Sequence, residues 1–262
     1  MLSVRSVSAL LLGALLLVGE AVVPSTAHAQ SDAVASAPSF ETVDSLRATG
    51  DFRDAFGRLV SLTDQHPDNA NVLWRLALTR VDMGEMSESE RTRQSLYTQA
   101  LEDAAAALAA DSMNVHAHYV RAVAEGRVAL TAGSREKIRR SRAVKHHADR
   151  AIELDSTFAP AYHVRARWNR EVADLGFFER TVVKAVYGGL PEASFEQAVR
   201  DFKTAIRLED TIVHHIELAR TYIKMDDEDK AREHLQITLD MPVDDPDDPR
   251  HKREARELLD DV

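Results

Sequence analysis

The sequence contains no cysteine, and only 10 glycine and 8 proline residues occur among its 262 positions. Without cysteine the chain can form neither a disulfide framework nor a thiolate nucleophile. Scarce glycine and proline leave few breaks in regular structure, and alternating runs of β-branched residues are also missing. Apolar residues recur instead at intervals of three and four, which predicts an all-α protein.

Familiar catalytic motifs are missing as well. The sequence contains no GxSxG, GxxxxGK[ST], HExxH or GxGxxG motif, so we expect no enzyme, no catalytic residue and no cofactor. The adjacent histidines 146–147 and 214–215 point to different faces of a helix, and we expect them to be exposed. The acidic run DDPDDP at 244–249 lacks the glycine and terminal glutamate of a calcium loop. No metal site is therefore predicted.

Basic residues are outnumbered by acidic ones, 33 to 43, for a formal net charge of −10. Such a chain has no general attraction for nucleic acid, and no nucleic-acid partner is expected. One local exception is the basic segment 133–151. Its side chains Arg135, Arg139, Arg142 and His146 share a helix face, which we interpret as a solvated face rather than a patch for phosphate or an anionic surface.

Near the N-terminus, an apolar run extends from Ala9 to Val18. It follows the single early charge Arg5 and precedes a small-x-small site, Ala27-His28-Ala29. This pattern predicts a signal peptide at residues 1–29, a disordered linker at 30–38, and export to the periplasm or cell envelope. The alternative is an uncleaved anchor, for which the apolar run is short. No later segment is apolar enough to span a membrane, so none is expected in the mature chain.

A register of small and apolar residues recurs at offsets 0, +4 and +7. It starts at Ala55, Ala100, Val144, Ala198 and Ala231. These offsets place the residues on one helical face, where small side chains allow close helix packing. The pattern is typical of the helix-turn-helix unit of tetratricopeptide repeats, and the alternative is an ordinary helical bundle with alanine-rich faces. We expect a short superhelical array over residues 39–262.

The register recurs after 45, 44, 54 and 33 residues, whereas a plain repeat has about 34. The first two intervals predict lengthened helices. The third predicts one inserted helix within LGFFERTVVKAVYGGLP (175–191), ended by Gly188-Gly189. We expect its apolar residues to pack across the array. They are Phe177, Phe178, Val182 and Val186.

In such an array the first helix of each repeat lines a concave groove. The predicted groove is aromatic and apolar at one end and basic at the other. Candidate ligand-binding residues are Trp74, Tyr119, His163, Arg167, Arg170, Phe178 and Arg220. This lining suits a peptide or protein partner with acidic groups and apolar anchors, or an anionic phospholipid. A structural role, with the aromatic residues in the core and the arginines paired with glutamates, is weighed equally.

The repeat region resembles the regulator of microtubule dynamics family from about residue 70 to residue 260. The matching residues are Trp74-Arg75, Lys137-Ile138, Lys145, His147, Ala151, His163, Arg167-Trp168, Val172-Ala173, Leu175, Phe178, Arg180, Pro191, Ser194, Glu196 and Ala198. Ala166 stands where the family usually has glycine, and Phe178 where tryptophan is common. The resemblance implies a tetratricopeptide-like helical domain and, for some members, phospholipid binding or transfer.

Together these patterns predict a non-catalytic exported adaptor that recognises a peptide or protein partner through its concave groove. The alternative is a periplasmic phospholipid-binding or lipid-transfer protein that uses an apolar groove with a basic end.

Overall fold

The computed structural model describes residues 39–262, and all regular structure in this range is helical. The predicted signal peptide and linker lie outside these residues. The helices are α1 (Glu41–Ala48), α2 (Phe52–Gln65), α3 (Ala70–Glu85), α4 (Glu90–Ala110), α5 (Val115–Ala129), α6 (Ser134–Leu154), α7 (Ala159–Ala173), α8 (Phe177–Tyr187), α9 (Phe195–Leu208), α10 (Ile212–Lys224), α11 (Glu228–Asp240) and α12 (Asp248–Asp260).

Four antiparallel hairpins form the body of the array. They pair α3 with α4, α5 with α6, α7 with α9, and α10 with α11. The first helices also touch one another in the order α3, α5, α7 and α10, and we call these four helices the inner row. Helices α1 and α2 pack at one end, and α12 covers α10 and α11 at the other. The tetratricopeptide-like fold predicted from the sequence is thereby confirmed.

The small-residue register explains why the helices pack so closely. Ala55, Ala100, Ala198 and Ala231 are completely buried, and Val144 is only 8% exposed. The alanines of the facing inner helices are equally buried, at positions 77, 122, 166 and 219. Because alanine adds little bulk, the backbones of each hairpin can approach while the longer side chains interlock on either side.

Helices α4 and α6 have 21 residues each, against 14 in α9 and 13 in α11. The prediction of lengthened helices is therefore confirmed. Within the α3–α4 hairpin, Gly84 packs against the ring of Tyr97. A Cβ atom at this position would lie 2.5 Å from Tyr97 Cε1, so the close approach of the two helices requires glycine.

The predicted inserted helix is α8, and it ends as expected at Gly188, which adopts a left-handed conformation with φ 77°. The expectation that its apolar stripe packs across the array is wrong. Phe177 is 88% exposed, Phe178 78% and Val186 63%, and no residue of α8 is buried. Helical periodicity defines an apolar stripe, but it does not determine which side of the helix faces the array.

Polar contacts, rather than burial of its apolar side chains, hold α8 in place. Arg142 of α6 donates hydrogen bonds to the carbonyl oxygens of Gly189, at 3.1 Å, and of Tyr187. Arg180 of α8 donates to the carbonyl oxygen of Leu175 at 2.9 Å. Side chains of the basic face predicted on α6 are exposed, and one of them caps the inserted helix.

Candidate functional site

The aromatic end of the inner row is filled by its own side chains. The buried ring of Trp74 stacks on His116 with centroids 4.5 Å apart. Phe158, which precedes α7, makes edge contacts with His116 at 5.0 Å and with Tyr119 at 5.4 Å. Burial raises the pKa of Tyr119 to about 12. Sequence reasoning missed Phe158, because it lies in a turn rather than on a helical face.

The basic end is organised around one carboxylate, Glu217 of α10, which is 4% exposed. Arg170 Nη1 lies 2.6 Å from Glu217 Oε2, and Arg220 Nη1 lies 2.6 Å from Oε1. Arg167 Nε is more distant, at 3.9 Å. Burial alone would raise the pKa of Glu217, but the charges of these arginines outweigh it and hold the pKa well below its usual range.

Further carboxylates balance two of these three arginines. Arg170 also pairs with Glu171 at 3.1 Å, and Arg220 pairs with Glu254 of α12 at 2.6 Å. Arg167 has no second acidic partner within residues 39–262, and its side chain is 40% exposed. Of the three arginines in this cluster, Arg167 is therefore the one best placed to bind a carboxylate of another molecule.

The structure brings the seven sequence candidates together only in part. Arg167, Arg170 and Arg220 converge on Glu217, whereas Trp74 and Tyr119 share the aromatic cluster. His163 lies one turn before Arg167 on α7, and its Nδ1 is 2.8 Å from Nδ1 of His214. Phe178 lies on α8, outside the inner row. Much of the lining thus has the structural role that the sequence left open as an alternative.

Histidines form a second group that sequence reasoning placed wrongly. The expected exposure holds for His146, but His147 is half-buried and His214 and His215 are only 4% and 5% exposed. His215 Nδ1 lies 2.9 Å from Nδ1 of His234. The repeat register contained the missing signal, because His147 and His234 both occupy its +3 position, on the side that faces the first helix.

A model of the regulator of microtubule dynamics protein 1-3 family matches residues 39–262. The chain belongs to this family. Regulator of microtubule dynamics protein 1 of Bos taurus is 28% identical over 222 residues, which cover 84% of this chain and 69% of the relative. Protein 1 of Caenorhabditis elegans is 26% identical over 222 residues and is covered to 98% of its length. Protein 3 of Xenopus laevis is 28% identical, but only 42% of its length is covered.

The family assignment agrees with a structural comparison. A thermophilic tetratricopeptide-repeat protein of Thermus thermophilus superimposes with a TM-score of 0.62 at 20% sequence identity. The match covers 84% of this chain and 96% of that protein. The family member described here therefore has the fold of a tetratricopeptide-repeat array.

Two recesses of this family member lie at the ends of the inner-row helices α3 and α5. One of about 500 Å³ is lined by residues of the α1–α2 turn, the end of α3 and the start of α4. The other, of about 270 Å³, lies between α4, the end of α5 and the start of α6, and it includes Arg93 and Arg140. Of the seven candidates, none lines either recess.

Acidic residues 244–249 form the turn into α12. The Asp248 carboxylate accepts hydrogen bonds from the backbone nitrogens of Asp244, at 3.0 Å, and Asp245, at 2.8 Å. Residues 39–262 contain no cluster of three or more histidine and acidic side chains placed to hold a metal ion. Among the helices of the same range, none has the length and apolarity to cross a membrane.

Proposed function

We propose that this family member is a non-catalytic adaptor that binds a peptide or protein segment along the inner row. The tetratricopeptide-like fold supports this proposal, because stacked helical repeats provide an extended surface without a buried cleft. A surface of this kind binds a partner through a few anchoring side chains spread along the row. The relatives are named regulators of microtubule dynamics, and a regulatory role suits an adaptor.

Arg167 is the observation that carries the proposal. Its side chain, on the third helix of the inner row, is 40% exposed, and its Nε approaches Glu217 only at 3.9 Å. A carboxylate of the partner would complete the planar pair of hydrogen bonds that arginine favours. Because Glu217 keeps Arg170 and Arg220, a partner can engage Arg167 without breaking the buried cluster.

The aromatic end supplies the second anchor in this proposal. His116 is exposed and Tyr119 half-buried, while Phe158 fills the space between them. An apolar side chain of the partner would pack on this surface rather than enter a deep pocket. The proposed ligand is thus an acidic segment with an apolar residue on the side nearer to α3.

A peptide library selected against the full chain tests the proposal. We expect enrichment of peptides that contain Asp or Glu, and loss of this enrichment with Arg167→Gln. Arg139→Gln is the matched control, because Arg139 is an exposed arginine on α6 whose carboxylate partner is Glu136. If Arg167→Gln selects acidic peptides as strongly as the unmodified chain does, Arg167 is not the binding site and the proposal is wrong. A phospholipid that co-purifies in native mass spectrometry would favour the lipid-binding alternative instead.

Export is the second part of the proposal and rests on the sequence of residues 1–29. If the protein is exported, the mature chain begins at Gln30, directly after the Ala27-His28-Ala29 site. N-terminal sequencing of the protein from the cell envelope fraction tests this directly. A chain recovered there that still begins at Met1 would indicate an uncleaved anchor.

A further inference from the structure

Three histidine pairs connect helices of the array through their Nδ1 atoms. The first pair joins α5 to α6, the second joins α7 to α10, and the third joins α10 to α11. They are His118–His147 at 2.9 Å, His163–His214 at 2.8 Å and His215–His234 at 2.9 Å. The first and third pairs lie within hairpins, whereas the second links two successive hairpins.

At these distances each pair can hold only one proton between its two Nδ1 atoms. One ring must donate and the other must accept, so at least one histidine of each pair is neutral at that nitrogen. A second proton would place two imidazolium cations within hydrogen-bond distance of each other. Protonation of both rings therefore breaks the pair.

The first and third pairs have an outer acceptor that favours a positive charge. His118 Nε2 donates to the carbonyl oxygen of Ser112 at 3.1 Å. His215 Nε2 donates to the carboxylate of Asp210 at 2.8 Å. These contacts require a proton on Nε2, so the Nδ1 proton of a neutral pair comes from the ring on the second helix. The outer acceptors offset part of the cost of a positive charge on His118 and His215, although burial still lowers the pKa of His118.

The second pair lacks such support. His214 Nε2 is buried and has no hydrogen-bond partner. Glu217 favours a positive charge on His163, but Arg167 and Arg170 of α7 oppose it. On α10 and the turn before it, Glu217 is already paired with arginines and Asp210 with His215. From α9, the ring that contacts His163 is that of the apolar Phe202.

We propose that the second histidine pair is a proton-sensitive joint, so that acidification separates α7 from α10 and opens the array between these two hairpins. The α3–α4 hairpin contains no histidine and stays closed over the same pH range. This opening would alter the inner row at Arg167 and Arg170, which lie on α7 one and two turns beyond His163.

The shifts in pKa agree in direction with this geometry. Burial, followed by the neighbouring His214, lowers the pKa of His163 well below its ordinary value of 6.5. Burial and the neighbouring His215 lower the pKa of His214 to about 4. An opened state regains ordinary values, so it binds protons below pH 6.5 that the closed state does not bind. Each of these histidines then favours opening by about twentyfold between pH 7 and pH 5.

Hydrogen exchange on the full chain at pH 7 and pH 5 tests the joint. After correction for intrinsic exchange, protection in α7 and α10 should fall on the order of four hundredfold more than protection in α3 and α4, which loses only the share set by global stability. The double variant His163→Gln, His214→Gln keeps side-chain hydrogen bonding but cannot titrate, and should lose this pH response. His66→Gln, outside the three pairs, should retain it.

Equal loss of protection in α3–α4 and in α7–α10 would overturn the proposal. So would a double variant that keeps the full pH response of the unmodified protein. If the double variant does not fold, the imidazole resonances of the unmodified protein decide the matter. Titration of His163 and His214 below about pH 5 supports the joint, whereas titration near the ordinary value of about 6.5 refutes it.

Discussion

The guanidinium of Arg170 and the carboxylate of Glu217 form a buried ion pair between α7 and α10, with Nη1 and Oε2 2.6 Å apart. Arg220 binds the other carboxylate oxygen at the same distance. Glu217 thus joins two adjacent helices of the inner row and balances arginines that would otherwise repel one another. Its removal has consequences that can be measured.

We expect Glu217→Gln to destabilise the protein by about 3–5 kcal/mol, because it leaves buried guanidinium groups without their carboxylate. Urea denaturation at pH 7 measures this free energy of unfolding. Glu171→Gln is the matched control, since Glu171 pairs with the same Arg170 but is 68% exposed. Its expected effect is below about 1 kcal/mol. Equal effects of the two variants would contradict the role of Glu217.

Global stability should fall as the pH decreases from 6.5 to 4. Burial lowers the pKa of His147 to about 3, with a contribution from His118, and lowers that of His234 to about 4, with a contribution from His215. In the unfolded chain these rings bind protons near pH 6.5, so unfolding takes up protons between that value and the folded pKa. Urea denaturation at several pH values should show a free energy of unfolding that rises with pH in this window. A flat profile would contradict the burial of these histidines.

Gly84→Ala should destabilise the α3–α4 hairpin by about 1–3 kcal/mol, because the added Cβ overlaps the Tyr97 ring. Gly57→Ala is the control within a helix interior. A Cβ at Gly57 meets no atom within 4 Å, so this variant should stabilise α2 by about 0.5–1 kcal/mol. Thermal unfolding of both variants checks the prediction, and stabilisation by Gly84→Ala would show that the hairpin is less closely packed.

Phe178→Ser should change the free energy of unfolding by less than about 0.5 kcal/mol, because this side chain is 78% exposed. Phe202→Ala, at a completely buried position of the core, should cost about 3–5 kcal/mol. Urea denaturation of the two variants compares an exposed with a buried phenylalanine. A large loss for Phe178→Ser would mean that the stripe of α8 packs on the protein in solution.

The repeat register predicted the fold because it depends on local spacing. Ala55, Ala100 and Ala198 were placed on buried faces by their offsets alone, and the Gly188-Gly189 pair marked the end of α8. The orientation of α8 could not be predicted in this way. It depends on Arg142, which lies 47 residues before Gly189 in the sequence and meets it only in the folded chain.

The candidate site shows the same division between local pattern and distant contact. Helical spacing predicts that Arg167 and Arg170 share the inner row with Arg220, but their pairing depends on Glu217, which comes from the next hairpin. Phe158 packs into the aromatic end from the turn before α7. Helical periodicity does not apply to a turn, so the sequence does not predict where this side chain points. The half-buried His147 and His234, by contrast, could have been found from their shared +3 position in the register.

The attachment of α8 has a consequence for engineering the protein. Helices α7 and α9 pack directly on each other, and the segment between them adds no buried residue. Its two ends are fastened by backbone contacts near Leu175 and Gly189 rather than by its own side-chain volume. We therefore expect an epitope or a fluorescent reporter inserted within α8, after Arg180 and before Gly188, to leave the neighbouring hairpins intact.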